Sequence, residues 1–383
     1  MKPSSQALFS SILPIVSIAG ALAAGGVAAQ SVSNNASLDN AQRNGAYVQH
    51  NLVSDGAVTA DHVDPNLVNG WGVAFNPSGA AWVANNGTGT STLYDGNGVA
   101  LSLVVQIPAP GATSGGTPTG IAFNGSNNFS VGSGSATGPA RFLFATEDGL
   151  IAGWSPTADA THALVAVDNS SKNAIYKGIA LSAGNNEALL YATDFHNNRV
   201  DVFDATFQPV TLASNAFVDA RLPAGYAPFG IQAIGGDIFV TFALQGADKK
   251  DEQHGRGFGF VDAFDPSGTL LARVAARGAL NAPWGIALAP AGFGRFSNSL
   301  LVGNFGDGRI NAYDLVFDFP LGELRDKSNH PIAIEGLWGI AFGNGLLNQP
   351  VNTLFFAAGP GDENHGVYGR IDAQAGSRNG SDE

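Results

Sequence analysis

Short apolar runs alternate with polar turns along this chain, and one apolar pattern recurs six times. Each copy is a Gly followed by Ile or Val and, in five of the six copies, by Ala. The copies begin at intervals of 48 to 58 residues, at Gly72, Gly120, Gly178, Gly230, Gly285 and Gly339. A period of this length with several short strands per repeat is typical of β-propeller blades, so the pattern predicts one blade per copy.

Each copy is followed by a second apolar strand, a polar turn and a third strand, as in Arg309–Asp314. A fourth, more irregular strand ends most units, but the last unit stops after Ile371 without one. The strand-like segment Tyr47–Val53 lies before the first copy and is left without a partner. Its pairing with the last unit would close the ring and remove an open sheet edge. We therefore predict an all-β, six-bladed β-propeller in which an N-terminal strand closes the last blade.

The N-terminus has the pattern of an export signal. Met1-Lys2 is followed by an apolar stretch from Ala7 to Val27, and small residues precede Gln30. This predicts a signal peptide over residues 1–29; the stretch would also suit an uncleaved membrane anchor. We expect a disordered lead over 30–45, the propeller over 46–373 and a polar tail over 374–383, with no membrane span after signal cleavage.

Composition narrows the possible partners and chemistry. The chain has 51 Gly among 383 residues and only 13% charged residues, which agrees with a turn-rich β protein. Its net charge of −13 argues against nucleic-acid binding. It has no Cys, which excludes disulfides, thiolate metal sites and cysteine nucleophiles. Since an exported protein without Cys is ordinary in bacteria, we expect a secreted or periplasmic bacterial monomer.

The repeat pattern resembles the NHL-repeat and gluconolactonase-like six-bladed propellers. More narrowly, the chain is similar to an uncharacterised family of exported bacterial propellers. The segments that carry this resemblance are Asn51–Asp55, Asn66–Gly72, Ala145–Trp154 and Gly294–Asn311. The resemblance covers essentially the whole mature chain, and it implies the fold but no established activity.

The resemblance also implies that the loop entering each inner strand lies on one face, at the mouth of the central channel. The residues that directly precede the six repeat glycines are Trp71, Thr119, Lys177, Phe229, Trp284 and Trp338. Their aromatic rings could wedge neighbouring blades apart. Alternatively, they could form a stacking platform for a sugar ring or a cationic group. On the second interpretation the ligand-binding residues are Trp71, Lys177, Phe229, Trp284 and Trp338.

The resemblance implies that the turns between second and third strands lie on this same face, and these turns are the most polar segments of the chain. Glu147, Asp194 and Asn304 offer oxygen ligands suited to Ca²⁺, while His196 or His365 with a carboxylate would suit Zn²⁺. The alternative is that Asp and Asn are simply the residues that tight turns require.

Two further loops differ from the rest in composition. The segment 247–256 holds the densest charge cluster, including His254, and could act as a lid or be a solvated surface loop. The segment 124–140 is rich in Gly and Ser and has no ionisable group, so we expect a flexible loop.

The sequence leaves more than one function open, because it contains no Gly-x-Ser-x-Gly, His-Glu-x-x-His or Walker motif. We favour an exported protein that binds a small molecule, glycan or cell-surface polymer at the channel mouth. The alternative is a metal-dependent lactonase or lyase, in which an ion polarises a carbonyl and His196 or His254 transfers a proton. A third possibility is a structural module of the cell envelope.

Overall fold

A computed structural model describes residues 45–182, 188–316 and 319–374. The predicted signal peptide, nearly all of the predicted lead and most of the predicted tail lie outside these residues. Within the described residues the chain forms β-strands and two single-turn 3-10 helices, Ser170–Lys172 and Gly294–Phe296. None of the described helices is long and apolar enough to span a bilayer.

Six sheets form the six blades, as the repeat predicts. The first two strands, β1 (Tyr47–Ser54) and β2 (His62–Val63), belong to the last blade. Blade one contains β3 (Gly70–Phe75), β4 (Ala81–Asn85), β5 (Thr90–Tyr94) and β6 (Ala100–Gln106). Blade two contains β7 (Pro118–Phe123), β10 (Phe142–Thr146), β11 (Leu150–Trp154) and β12 (Leu164–Asp168), and carries a separate hairpin of β8 (Ser130–Ser133) and β9 (Ala136–Pro139).

The remaining blades follow the same order along the chain. Blade three contains β13 (Tyr176–Leu181), β14 (Leu190–Asp194) and β15 (Arg199–Phe203). Blade four contains β16 (Tyr226–Ile234), β17 (Asp237–Leu244), β18 (Phe260–Phe264) and β19 (Leu270–Ala276). Blade five contains β20 (Pro283–Leu288), β21 (Leu300–Asn304), β22 (Ile310–Asp314) and β23 (Phe319–Glu323). Blade six contains β24 (Leu337–Phe342), β25 (Leu354–Ala358), β26 (Val367–Ala373), β1 and β2.

The ring closes through β1, which confirms the predicted role of the N-terminal strand. β1 runs antiparallel to β26, with Tyr47 opposite Ala373 and Ser54 opposite Val367. The Tyr47 hydroxyl donates a hydrogen bond to the Phe293 carbonyl of blade five at 2.9 Å. The closing strand is therefore tied both to its own blade and to the neighbouring one.

The repeat glycines are explained by the narrow centre of the ring. A Cβ on Gly230 would lie 1.9 Å from the Trp284 carbonyl oxygen, and one on Gly339 would lie 2.5 Å from the Trp71 carbonyl oxygen. The other four repeat glycines meet the next inner strand in the same way, with closest distances of 2.5 to 3.0 Å. Because a side chain at these positions would collide with backbone, only Gly lets the six inner strands approach the axis this closely.

Two regions depart from the simple repeat. Among the described residues, blade three has three strands, and beyond β15 it is extended by a single bridge between Phe203 and Pro209. The segment 124–140, which we expected to be a flexible loop, contains the β8–β9 hairpin, so that expectation is wrong. Phe129 and Val131 are buried, and the Phe129 ring meets Phe207 of blade three edge to face. These apolar contacts hold the segment against two blades despite its Gly-rich composition.

Candidate ligand-binding site

The aromatic residues before the repeat glycines meet at the centre of the ring. Trp71 stacks on Trp338 with ring centroids 3.5 Å apart, and Phe305 stacks on the same indole at 3.8 Å. Trp284 meets both Trp71 and Trp338 edge to face, and Phe229 meets Trp338 in the same way. We call Trp71, Phe229, Trp284, Phe305 and Trp338 the aromatic plug. None is more than 9% exposed, so these rings pack chiefly on one another.

The burial of the aromatic plug helps to decide whether these rings wedge the blades apart or form a stacking platform for a ligand. Mutual stacking is the packing expected when the rings fill the space between inner strands. A ligand could reach the plug only at its surface, and contact with the five predicted ligand-binding residues remains a prediction.

Thr119 is also buried, and its hydroxyl donates to backbone carbonyls of Ala145 and Tyr176, which joins blades two and three.

Lys177 is the predicted ligand-binding residue with the most unusual surroundings. Its side chain is 1% exposed, and its Nζ lies 2.6 Å from Glu147 Oε1 and 3.6 Å from Asp251 Oδ1. The same ammonium lies 5.0 Å from the centroid of the Trp71 ring, within the range of a cation–π contact. Burial alone would lower the Lys177 pKa, but the carboxylates of Glu147 and Glu252 outweigh it and raise that pKa.

Glu147 is the matching partner of this ion pair. Burial alone would raise the Glu147 pKa, but the Lys177 ammonium and its hydrogen bond outweigh burial and lower that pKa. The other carboxylate oxygen, Oε2, accepts a hydrogen bond from Asn86 Nδ2 at 3.1 Å. Both members of the pair are therefore ionised at neutral pH, although both are largely removed from water.

Asn69 extends this network to the last blade. Its Nδ2 donates to Glu363 Oε2 at 2.6 Å, and its Oδ1 accepts from Trp338 Nε1 at 3.2 Å. Burial raises the Glu363 pKa, and the nearby charges of Glu252 and Glu147 raise it further. We call Asn69, Asn86, Glu147, Lys177 and Glu363 the mouth cluster. It joins blades one, two, three and six above the aromatic plug.

An open cleft of about 530 Å³ lies beside the mouth cluster. Its ionisable lining residues are Asp251, Glu252, His254, Asp307, Glu335, Asp362 and Glu363. Phe305 of the aromatic plug is part of the wall, and the His254 ring meets it edge to face at 5.1 Å. His254 Nε2 lies 3.2 Å from Glu252 Oε1, and this hydrogen bond raises the His254 pKa. The lining contains six carboxyl groups and no Lys or Arg, so the cleft is strongly anionic.

The five candidate metal ligands lie on four different blades. Glu147 is held by Lys177, and His365 Nδ1 lies within hydrogen-bonding distance of Asp55 Oδ2, at 2.8 Å. His196 is partly buried, and its Nδ1 has no hydrogen-bond partner within the described chain. Among the described residues, no three His, Asp or Glu side chains converge to hold a metal ion. The structure therefore does not bring the five candidates together.

Asp194 and Asn304 occupy equivalent positions in their blades, and each side chain accepts a hydrogen bond from a backbone N–H. Asp194 Oδ1 accepts the backbone N–H of Ile175 at 3.2 Å, and Asn304 Oδ1 accepts that of Asn281 at 3.1 Å. Each side chain thus ties the loop that enters the inner strand to the turn after the second strand. This agrees with the turn-forming alternative for these two residues.

Sequence reasoning did not single out Asn69, Glu252 or Glu363 as site residues. They lie in the same polar loops as the candidates that were chosen, so composition alone could not separate them. Asn69 and Glu363 are 294 residues apart along the chain, and they meet only because blades one and six are neighbours in the closed ring.

The fold and this site define a six-bladed β-propeller whose channel is closed at one end by aromatic rings beneath an acidic mouth. No family model matches the chain. The chain belongs to the same family as the uncharacterised proteins R648 and L690 of Acanthamoeba polyphaga mimivirus. It is 34% identical to R648 over 329 residues, which is 84% of this chain and 78% of R648. It is 32% identical to L690 over 302 residues, which is 76% of this chain and 77% of L690.

Solved structures support the propeller fold. A protein of unknown function from Bacteroides thetaiotaomicron aligns with a TM-score of 0.53 at 10% identity, covering 86% of this chain and 76% of that chain. A glucose dehydrogenase aligns with a TM-score of 0.50 at 13% identity, covering 86% of this chain and 99% of that chain. At these identities the similarity concerns the fold alone. The predicted membership of an exported bacterial family stays a prediction, because these curated relatives are viral.

Proposed function

We propose that this protein binds a small, polar ligand at the channel mouth, in the acidic cleft beside the mouth cluster. The observation that carries the proposal is the open cleft with six carboxyl groups, which shares Glu363 with the mouth cluster and holds Asp251 3.6 Å from the buried Lys177 ammonium. A cleft of about 530 Å³ falls within the size range of small-molecule sites. Carboxylates accept hydrogen bonds and do not donate them when ionised. The ligand is therefore a molecule rich in hydroxyl or amino donors, such as a saccharide or an amino sugar.

The mouth cluster supports binding because its polar groups are already positioned. Glu363 is fixed by Asn69, and Glu147 is fixed by Asn86 and Lys177. Groups that are ordered before binding lose less conformational entropy when the ligand arrives. Phe305 adds an aromatic wall against which an apolar face of a sugar ring can lie.

The test is a binding screen of the purified protein against neutral glycans and amino sugars, followed by calorimetric titration of each hit. Glu363→Gln keeps the side-chain shape and removes the charge, so it should weaken binding about tenfold. Asp61→Asn is the matched control, since Asp61 is exposed and pairs with His50 away from the cleft. The proposal fails if no compound binds, or if Glu363→Gln binds as tightly as the unaltered protein.

The second candidate is a lactonase or lyase that works in the same cleft. The observation that favours it is the contact of His254 with Glu252 at 3.2 Å, in the cleft that also holds Glu363. Burial raises the Glu363 pKa and the Glu252 hydrogen bond raises the His254 pKa, so the cleft holds two groups whose altered pKa values suit proton transfer. The involvement of an ion lacks comparable support, because the five candidate ligands lie apart.

A panel of lactones and of substrates for elimination, assayed with and without added Ca²⁺ or Zn²⁺, tests this candidate. His254→Asn and Glu363→Gln should each abolish turnover, and His330→Asn, at an exposed histidine outside the cleft, should not. Turnover that survives both cleft substitutions would reject the assignment.

Export of the chain is a separate proposal supported by the apolar stretch near the N-terminus, and N-terminal sequencing of protein from the native host would test it.

A further inference from the structure

A second cleft, of about 410 Å³, lies on the outer part of blade five and has the opposite charge. Four arginines line it, Arg256, Arg295, Arg309 and Arg325, together with two acids, Asp307 and Glu323. The whole chain has only 18 Lys and Arg residues against 31 Asp and Glu residues. Four arginines on one cleft therefore form a local positive site on an acidic protein.

The strand pairing of blade five explains how this cleft is built. Arg309, Asn311 and Tyr313 are spaced by two residues at β22, so their side chains lie on one face. Asn311 is opposite Glu323 of β23. Arg309 and Arg325 both contact the Glu323 carboxylate, so that one negative charge is shared by two guanidinium groups.

The other two arginines contact backbone carbonyl oxygens, and the Arg295 guanidinium also lies 5.2 Å from the centroid of the Phe296 ring. Arg295 Nη2 lies 3.5 Å from the Leu321 carbonyl oxygen, and Arg256 Nε lies 3.3 Å from the Gly278 carbonyl oxygen. Each guanidinium has five N–H donors in a planar fork. The four arginines thus hold many more donors than these contacts use.

Asn311 supplies an independent sign of a missing partner. The residue is only 3% exposed, it lines the cleft, and its Nδ2 has no hydrogen-bond partner within the described chain. A buried donor without an acceptor is costly, and native proteins satisfy nearly all of them. An acceptor bound in the cleft would satisfy this group.

We propose that the cleft on blade five binds a small molecule through a carboxylate or phosphate group. Arginine forks match these planar or tetrahedral oxyanions, and the Asn311 amide adds a neutral donor. The site goes beyond the proposed function, because it lies outside the channel mouth and meets the acidic cleft only at Asp307. Several residues that line this cleft lie in Gly294–Asn311, one of the segments that carry the family resemblance. The mouth site accounts for little of that segment.

Calorimetric titration with inorganic phosphate and with citrate, at constant ionic strength, tests the proposal. At least one of the two anions should bind saturably, with one site per chain. Arg309→Gln should weaken binding about tenfold. Lys327→Gln is the control, since it removes the same charge from an exposed residue close in sequence that does not line the cleft.

Asn311→Leu separates ligand binding from folding. Because Nδ2 has no partner within the described chain, this substitution should weaken anion binding without lowering the melting temperature. Binding of phosphate alone would assign a phosphate ligand, and binding of citrate alone a carboxylate ligand. The proposal is overturned if neither anion binds, if Lys327→Gln weakens binding as much as Arg309→Gln, or if Asn311→Leu binds anion unchanged. Glu363→Gln should leave anion binding intact, which keeps this test independent of the mouth site.

Discussion

The ammonium of Lys177 and the carboxylate of Glu147 lie 2.6 Å apart across the boundary between blades three and two. Each charge is acceptable in this buried position only because the other is present. The pair therefore links blades two and three through two charges that depend on each other.

Replacing one member of the pair should lower the stability of the protein. Lys177→Met leaves Glu147 buried without its counter-ion, and we expect the free energy of unfolding to fall by about 3–5 kcal/mol. Urea denaturation followed by tryptophan fluorescence measures the change. The double substitution Lys177→Met with Glu147→Leu should recover much of the loss, because no unpaired charge remains. Equal stability of the single and double variants would contradict this account.

The repeat glycines provide a test of the narrow channel. Gly230→Ala places a methyl group against the Trp284 carbonyl oxygen, so the inner strands of blades four and five must separate. We expect a loss of about 2 kcal/mol or more. Gly79→Ala is the control. A Cβ at Gly79 would lie 3.3 Å from Nδ2 of the flexible Asn76 side chain, so this substitution should have a small effect on stability. Thermal melting of the two variants side by side gives the comparison.

Asp262 should make stability depend on pH. It is fully buried on β18, and burial, reinforced by the charge of Asp219, raises its pKa to about 7 despite the neighbouring Arg273 and Arg221. The folded protein thus holds a proton between about pH 4 and pH 7 that the unfolded chain releases. This contribution to stability is present below pH 4 and is lost as the pH rises to 7.

Asp262→Asn removes this titration while keeping the side-chain shape. The variant should show a smaller loss of stability than the unaltered protein between pH 4 and pH 7, measured by urea denaturation at several pH values. Parallel pH profiles for the two proteins would show that Asp262 does not titrate in this window.

Removing or adding metal ions should not change the thermal stability of this protein. Because Glu147, Asp194, His196, Asn304 and His365 are not brought together, EDTA should leave the melting temperature unchanged, and added Ca²⁺ or Zn²⁺ should not raise it. Elemental analysis of the purified protein gives an independent measurement. A near-stoichiometric ion that is lost in Glu147→Gln or His196→Asn would restore the metal-dependent interpretation.

The repeat made the fold predictable, since glycine spacing and strand length recur in every blade and the unpaired Tyr47–Val53 indicated how the ring closes. It could not reveal that Phe129 would anchor a hairpin against Phe207, because that contact depends on the packing of two blades. The aromatic residues before the repeat glycines were also apparent from the sequence, but the sequence did not show that Phe305, from a different loop, stacks on Trp338.

The mouth cluster was less accessible to sequence reasoning than the fold. Its five members are scattered over four blades, and no local pattern distinguishes Asn69 or Glu363 from other turn residues. Their pairing follows from the three-dimensional closure of the ring, which converts distant positions into neighbours.

The closing strand also affects the order in which the chain can fold. Asp55, just after β1, meets His365, which is 310 residues further along. At a synthesis rate of about 5–20 residues per second, β1 leaves the ribosome roughly 15–60 seconds before its partner is made. During that interval the strand has an unpaired edge, and the last blade cannot form. Completion of the ring is therefore expected to be a late step of biosynthesis, because β1 cannot pair until β26 has been made.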